Sequence, residues 1–111
     1  MSVVLCLTTC PEREGALVLA RALVDEGLAA CINIVPGAVS LYRWQGAVEQ
    51  ADELQLFIKT TQAQLVTLKA RVCDLHPHDV PELIVLQVAD GLPAYLGWVV
   101  ASVRTEAPEA S

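Results

Sequence analysis

The stretch from Cys31 to Thr61 constrains the fold more than any other part of the chain, because it has the pattern of one unusually long β-hairpin. Two runs rich in β-branched and aromatic residues, CINIVPGAVSLYRW and AVEQADELQLFIKTT, are joined by Gln45-Gly46. A two-residue link ending in glycine is typical of a tight hairpin turn, since glycine readily takes a positive φ. The chain is therefore predicted to be built around this hairpin.

The predicted turn also sets the register of the hairpin and its reach. The expected facing pairs are Trp44 with Ala47, Tyr42 with Glu49, and Ser40 with Ala51. Each arm would extend roughly 45 Å at about 3.3 Å per residue, whereas a domain of this size has a radius of gyration of about 13 Å. The tip, with Tyr42 and Trp44 on one face, is expected to project from the body. Another copy of the same chain is the expected partner that covers it.

Length and composition indicate one small domain that shares apolar surface between subunits. The chain has 111 residues, 54% of them hydrophobic, and a mean hydropathy of +0.48. We predict a single domain over residues 1–104 and a flexible tail over 105–111. No run of eighteen apolar residues occurs, and the N-terminus lacks a basic region ahead of its apolar run. A cytoplasmic protein without a membrane partner is expected.

Charge argues against nucleic acid as a partner. Thirteen acidic residues stand against seven basic ones, which gives a formal net charge of −6. A phosphate-binding face needs clustered lysine and arginine, and the sequence contains no such cluster.

The remaining pattern predicts the order of helices and strands. Before the hairpin we expect a strand over 3–8 and a helix over 11–26, with Gly27 after it. The hairpin should have a bulge at Pro36-Gly37. After it we expect a helix from a Thr61/Gln64 capping box to His76-Pro77, a strand over 83–88 and a helix from Pro93. The order β-α-β-β-α-β predicts an α+β, ferredoxin-like fold. Its antiparallel sheet should have strand order 4-1-3-2, with two helices on one face and a C-terminal helix added.

Four cysteines match no CxxC, zinc-ribbon or haem motif. In a cytosolic protein they are expected to be reduced, and most are expected to be core residues. Cys10 is the candidate for a reactive or metal-binding thiol, because Pro11 is predicted to open the first helix and a helix N-terminus stabilises thiolate. The alternative is that Cys10 is only the residue before that proline. Glu12 and Glu14 add negative charge there and oppose a low thiol pKa.

The sequence resembles the CutA family of divalent-cation tolerance proteins. The matching motifs are AACINIVPGAVSLYRWQG, ELQLFIKTT, HPHDVPELIVL and GLPAYLGWV, in this order along nearly the whole chain. The resemblance implies a homotrimer of ferredoxin-like subunits with interlocking hairpins, located in the cytosol. It also implies an association with copper and other divalent cations.

Only some of the metal ligands that the resemblance implies have a counterpart in this chain. Some family members are proposed to use a cysteine near the end of the first strand, and Thr8 stands at that position here, two residues before Cys10. Their histidine pair before a proline is reduced to His76, while His78 stands where the family usually has tyrosine. The expected ligands for copper or another divalent cation are therefore His76, Cys10 and His78. Two histidines in a polar loop can equally be solvated or cap a helix.

A second set of residues is expected at an interface or in a cleft between subunits. These residues are Tyr42, Trp44, Lys59, Glu82 and Trp98. Aromatic side chains are favoured anchors of oligomer interfaces. Lys59, at the end of an apolar strand, is expected to reach solvent or to pair with Glu82 or Glu53. The alternative is that it holds an anion in the cleft.

Two other function classes compete with a metal-responsive trimer. A small-ligand sensor or partner-binding trimer resembling the PII signalling proteins is the alternative, although the loops lack a glycine-rich phosphate cradle. An acylphosphatase-like enzyme would need an anion nest, and the loop after the first strand has no glycine to form one. No dithiol motif for copper transfer and no nucleophile–base set is found. We therefore predict that the protein is not an enzyme.

Overall fold

The computed structural model describes residues 2–104, and the predicted tail over 105–111 lies outside the described residues. In chain order the elements are β1 (Val3–Cys10), α1 (Arg13–Asp25), β2 (Cys31–Trp44), β3 (Ala47–Thr61), a 3-10 turn (Gln62–Gln64), α2 (Leu65–Leu75), β4 (Ile84–Gln87) and α3 (Pro93–Ser102). The strands form one antiparallel sheet in the order β2-β3-β1-β4. This is the predicted strand order.

The hairpin has the predicted turn and register. Trp44 pairs with Ala47 across the turn, and Gln45 and Gly46 have φ values of 50° and 81°. The register shifts between Val35 and Ala38, at the predicted Pro36-Gly37 bulge. The extra residue of a bulge shifts the pairing by one position. Residues paired across β2 and β3 therefore share a face on each side of the bulge.

One face of the sheet carries the hydrophobic core. Alternate side chains of β1 and β3 point toward α1 and α2, because successive residues of a strand face opposite sides. The largest fully buried apolar side chains in this layer are Val4, Leu19, Leu23, Leu28, Leu56, Ile58, Leu68 and Val72. The two helices therefore lie on one face, as predicted.

The opposite face of the sheet, called here the open face, is only partly covered. Its residues include Leu5 and Leu7 of β1, Phe57 of β3, and Ile84 and Leu86 of β4, all half-buried or exposed. The radius of gyration is 14.8 Å, above the roughly 13 Å of a round domain of this length. The excess agrees with a hairpin that projects from the body. No helix within residues 2–104 combines the length and apolar character needed to cross a bilayer.

The region between β1 and α1 corrects one prediction. β1 continues to Cys10, whose pairing partner is Leu54, instead of ending at Thr8. Helix α1 begins at Arg13, with Glu12 as its N-cap, so Pro11 is not the first helical residue. At the other end, Gly27 has a φ of 73° and Leu28 N–H donates to the carbonyl of Leu23 at 2.9 Å. The predicted glycine stop is confirmed.

The predicted capping box ahead of α2 is wrong. Thr61 is the last residue of β3, and its side chain makes no capping hydrogen bond. The Gln64 amide instead donates to the backbone carbonyl of Arg104, forty residues further along the chain. A tertiary partner has replaced the local one. Helix α2 nevertheless ends where predicted, with His76 as its C-cap.

Candidate functional site

His76 lies at the C-terminus of α2 and connects it to the end of β1. Its Nε2 is 2.6 Å from the carbonyl oxygen of Thr9, and since a carbonyl only accepts, the ring donates this bond. Its Nδ1 accepts the backbone N–H of His78 at 3.1 Å. The side chain is 7% exposed. Both ring nitrogens of His76 are therefore engaged in hydrogen bonds within the subunit.

Cys10 does not occupy the position that motivated its prediction as a reactive thiol. It lies in β1, three residues before the first residue of α1, with its side chain buried in the core. Burial, with the nearby charge of Glu53 adding to it, raises the pKa of the Cys10 thiol. Neither the helix dipole nor the surroundings favour thiolate here.

His78 is the accessible member of the predicted metal set. It is exposed, and its ring lies 4.9 Å from the ring of His76, centroid to centroid, at an interplanar angle of 57°. Within residues 2–104, no group of three histidine, cysteine or acidic side chains is placed to hold one ion. Ligation by His76 and Cys10 would need a free ring nitrogen and a thiolate. The His76 and Cys10 environments in the folded subunit do not fit one.

Lys59 belongs to a small polar cluster on the open face. Its Nζ contacts the Oδ1 of Asn33 and lies 3.8 Å from the Sγ of Cys31. In the described part of the chain no carboxylate lies within 4.0 Å of this ammonium, and the ion pairs found there join Arg71 to Glu26 and Asp74. The predicted pairing of Lys59 with Glu82 or Glu53 is therefore not made within the described subunit.

Glu82 contributes its backbone to a different contact. Its carbonyl oxygen accepts a 2.6 Å hydrogen bond from the Oγ1 of Thr8, while its side chain is exposed. This bond ties the loop before β4 to the centre of the sheet. Lys59 pairs with Leu5, which lies three positions before Thr8 along β1. The Lys59 ammonium and the Glu82 carboxylate are therefore not joined within the described subunit.

Helix α3 brings two aromatic rings to the rim of the polar cluster. It packs against β3 and β1, and its Tyr95 hydroxyl lies beside the Cys31 thiol. Partial burial and the proximity of Cys31 raise the pKa of the Tyr95 phenol. The rings of Tyr95 and Trp98 are 5.7 Å apart and both are partly exposed. Trp98 is thus placed near the cluster, with free surface for another contact.

The hairpin tip carries the other two predicted interface residues. Tyr42 is 45% exposed and Trp44 is 61% exposed in the subunit. Exposed neighbours on the same hairpin are Val35, Val39, Leu41 and Val48. The register places Tyr42 and Trp44 on one face of the distal hairpin and Val39, Leu41 and Val48 on the other, so exposed apolar side chains line both faces there.

Sequence reasoning missed the role of Cys31 and Asn33 beside Lys59. The sequence predicts that most of the four cysteines are core residues, and it gives no local reason to single out Asn33. The hairpin sequence does contain the information that places Cys31 and Asn33 beside Lys59. Shifting the register by one residue at the Pro36-Gly37 bulge pairs Cys31 with Lys59, as observed, and alternation then places Asn33 on the same face.

The comparisons with known proteins decide the family. The family model described as CutA1 divalent ion tolerance protein matches residues 4–102. This chain belongs to the CutA1 family. It is 52% identical over 93 residues to the divalent-cation tolerance protein CutA of Thermus thermophilus, which covers 84% of this chain and 90% of that protein.

Solved CutA structures share the fold of this chain. CutA from Xylella fastidiosa matches with a TM-score of 0.91 and 45% identity, covering 94% of this chain and 100% of that one. A protein described as the periplasmic divalent cation tolerance protein CutA from Archaeoglobus fulgidus matches with a TM-score of 0.89 and 28% identity, covering 92% and 99%. The CutA1 subunit fold, a four-stranded antiparallel sheet with three helices, is therefore established for this chain.

Proposed function

We propose that this CutA1-family chain functions as a homotrimer of ferredoxin-like subunits in the cellular response to divalent cations. The observation that carries the proposal is the apolar surface left uncovered in the subunit, on the open face and along the hairpin. Among the large hydrophobic side chains exposed in the described residues, six lie on the hairpin, including Tyr42 and Trp44, two lie on β4, and two, Tyr95 and Trp98, lie on α3. Leaving this much apolar surface in water is unfavourable. Neighbouring copies that receive one another's hairpins would cover it.

We place this trimer in the cytoplasm, as the sequence predicts. All four cysteines, Cys6, Cys10, Cys31 and Cys73, are free. Unpaired cysteines suit a reducing compartment.

Cation contact, in this proposal, is weak and confined to the exposed loop after α2. His78 offers an accessible imidazole, a ligand type suited to copper and zinc. His76 is held by its two hydrogen bonds, and Cys10 is kept protonated by burial. We therefore expect copper or another divalent cation to bind through His78 with low affinity.

Two measurements test the proposal. Light scattering after size exclusion should give about three times 11.9 kDa, and a monomer at micromolar concentration would contradict the trimer. In a calorimetric copper titration, His78→Ala should remove most of the heat, while Cys10→Ser should behave like the parent protein. Loss of tight copper binding in Cys10→Ser would refute the cation assignment and leave the trimer standing.

The alternative function is a small-ligand sensor of the PII-like kind, without a metal role. The observation that favours it is Lys59, a cation without a carboxylate partner in the described residues. We also propose that the protein has no catalytic turnover, because the family is not a known enzyme family. Turnover of a phosphoryl or acyl substrate by the purified trimer would refute that.

A further inference from the structure

Lys59 lies on the open face between two strands that supply its neighbours. It pairs with Cys31 of β2 on one side and with Leu5 of β1 on the other. The adjacent positions of its own strand, Ile58 and Thr60, face the helices and are fully buried. The ammonium is therefore presented to the open face and not to the core.

Within the described part of the subunit, the contacts of Lys59 leave its charge uncompensated. Its two partners, the Asn33 amide oxygen and the Cys31 sulfur, are neutral acceptors. An ammonium has three N–H donors, so one remains for another acceptor. Within residues 2–104 no carboxylate lies close enough to supply it.

Covering the open face makes this charge costly. The proposed trimer would take the ammonium out of water, and an ion that loses its hydration without a counter-ion is strongly disfavoured. An anion beside Lys59 would remove the penalty. This inference therefore rests on the proposed trimer.

The surroundings select the kind of anion. In the described residues the contacts of the ammonium include neither an arginine fork nor a glycine-rich nest, the groups that suit phosphate. The flanking side chains of Leu5 and Phe57 are half-buried, and the Tyr95–Trp98 ring pair lies at the rim. One positive charge beside apolar and aromatic side chains suits a ligand that has a single negative charge and an apolar remainder.

We propose that Lys59 is the anchor of a binding site for a small organic monocarboxylate. The ammonium binds the carboxylate, the neighbouring Asn33 side chain holds the ammonium in place, and the apolar walls receive the body of the ligand. In this assignment the open face of the subunit is a ligand site as well as a contact surface.

The experiment uses the intact protein and two probes of the same shape. Benzoate carries the carboxylate and benzamide is its neutral counterpart. Calorimetric titration should give at least tenfold tighter binding of benzoate than of benzamide. Lys59→Met should lose at least tenfold in benzoate affinity, whereas Lys69→Met, which removes an exposed lysine of α2, should not change it.

A second readout needs no variant. Because the Cys31 sulfur lies 3.8 Å from the Lys59 nitrogen, bound benzoate should slow alkylation of Cys31 by iodoacetamide at least threefold. Cys73, exposed on α2, is the internal control and should react at an unchanged rate. Mass spectrometry of the labelled peptides separates the two thiols.

The outcomes distinguish this site from the trimer on which it rests. Equal affinity for benzoate and benzamide, or unprotected Cys31 at saturating benzoate, would overturn the carboxylate site. So would a Lys59→Met protein that keeps full benzoate affinity. Light scattering on the same samples reports the oligomer separately. Benzoate binding by a monomer would keep the site and reject the trimer.

Discussion

Replacing His76 by alanine should destabilise the fold far more than it affects metal binding. The variant removes the hydrogen bond to the Thr9 carbonyl, and Thr9 is only 8% exposed, so that acceptor stays out of water. An orphaned buried acceptor costs about 1–3 kcal/mol. The His78 N–H also loses its partner, but it belongs to an exposed loop where water replaces a bond worth about 0.5–1 kcal/mol. We expect a total loss of about 1.5–4 kcal/mol per subunit.

The assay is urea unfolding followed by circular dichroism at one fixed protein concentration, because the stability of an oligomer depends on concentration. His78→Ala is the matched control. It deletes an exposed imidazole and should change the free energy of unfolding by less than about 0.5 kcal/mol. His76→Ala should keep the copper affinity of the parent protein. Parent-like stability combined with lost copper binding would show that His76 is a ligand, and would refute the reasoning from its hydrogen bonds.

Three further predictions concern the hairpin tip, the α1–α2 ion pair and the end of α1. Trp44→Ala should weaken subunit association by about 2–4 kcal/mol, measured as the concentration at which the trimer dissociates on dilution; unchanged dissociation would place the tip outside the interface. The Arg71 guanidinium donates hydrogen bonds to Glu26 and lowers the pKa of that carboxyl below its ordinary 4.5. The ion pair therefore stabilises the fold above pH 4.5, and this stabilisation is lost as the pH falls through the lowered pKa of Glu26. Glu26→Gln should therefore flatten the acid side of the stability profile, by a small amount because the pair is exposed, and an unaltered profile would contradict the assignment. Gly27→Ala should cost about 1–2 kcal/mol in thermal unfolding, since φ is 73° and the new methyl would lie 2.6 Å from a side-chain carbon of the C-terminal segment. Gly97→Ala, in the interior of α3 with open space around it, is the control and should be neutral or stabilising.

The sequence by itself determined the features that follow from local chemistry. Gln45-Gly46 set the turn, and the two-residue period of the strands then fixed which residues face each other up to the bulge. Pro36-Gly37 marked that bulge, because proline removes a ladder donor and glycine accepts positive φ. Gly27 ended α1 for the same conformational reason. The strand order followed from the sequence of elements and the handedness of their connections.

Only the tertiary structure decided the partners of the polar side chains. β1 extends to Cys10 because the long β3 supplies pairing partners that no local pattern reveals. Gln64 is taken by the Arg104 carbonyl, and His76 by the Thr9 carbonyl sixty-seven residues away, although local rules suggested a helix cap and a metal ligand. Lys59 contacts a thiol and an amide where solvent or a carboxylate was expected. Hydrogen bonds and charge contacts act over a few ångströms, so residues distant in sequence satisfy these groups once the sheet and helices have brought them together.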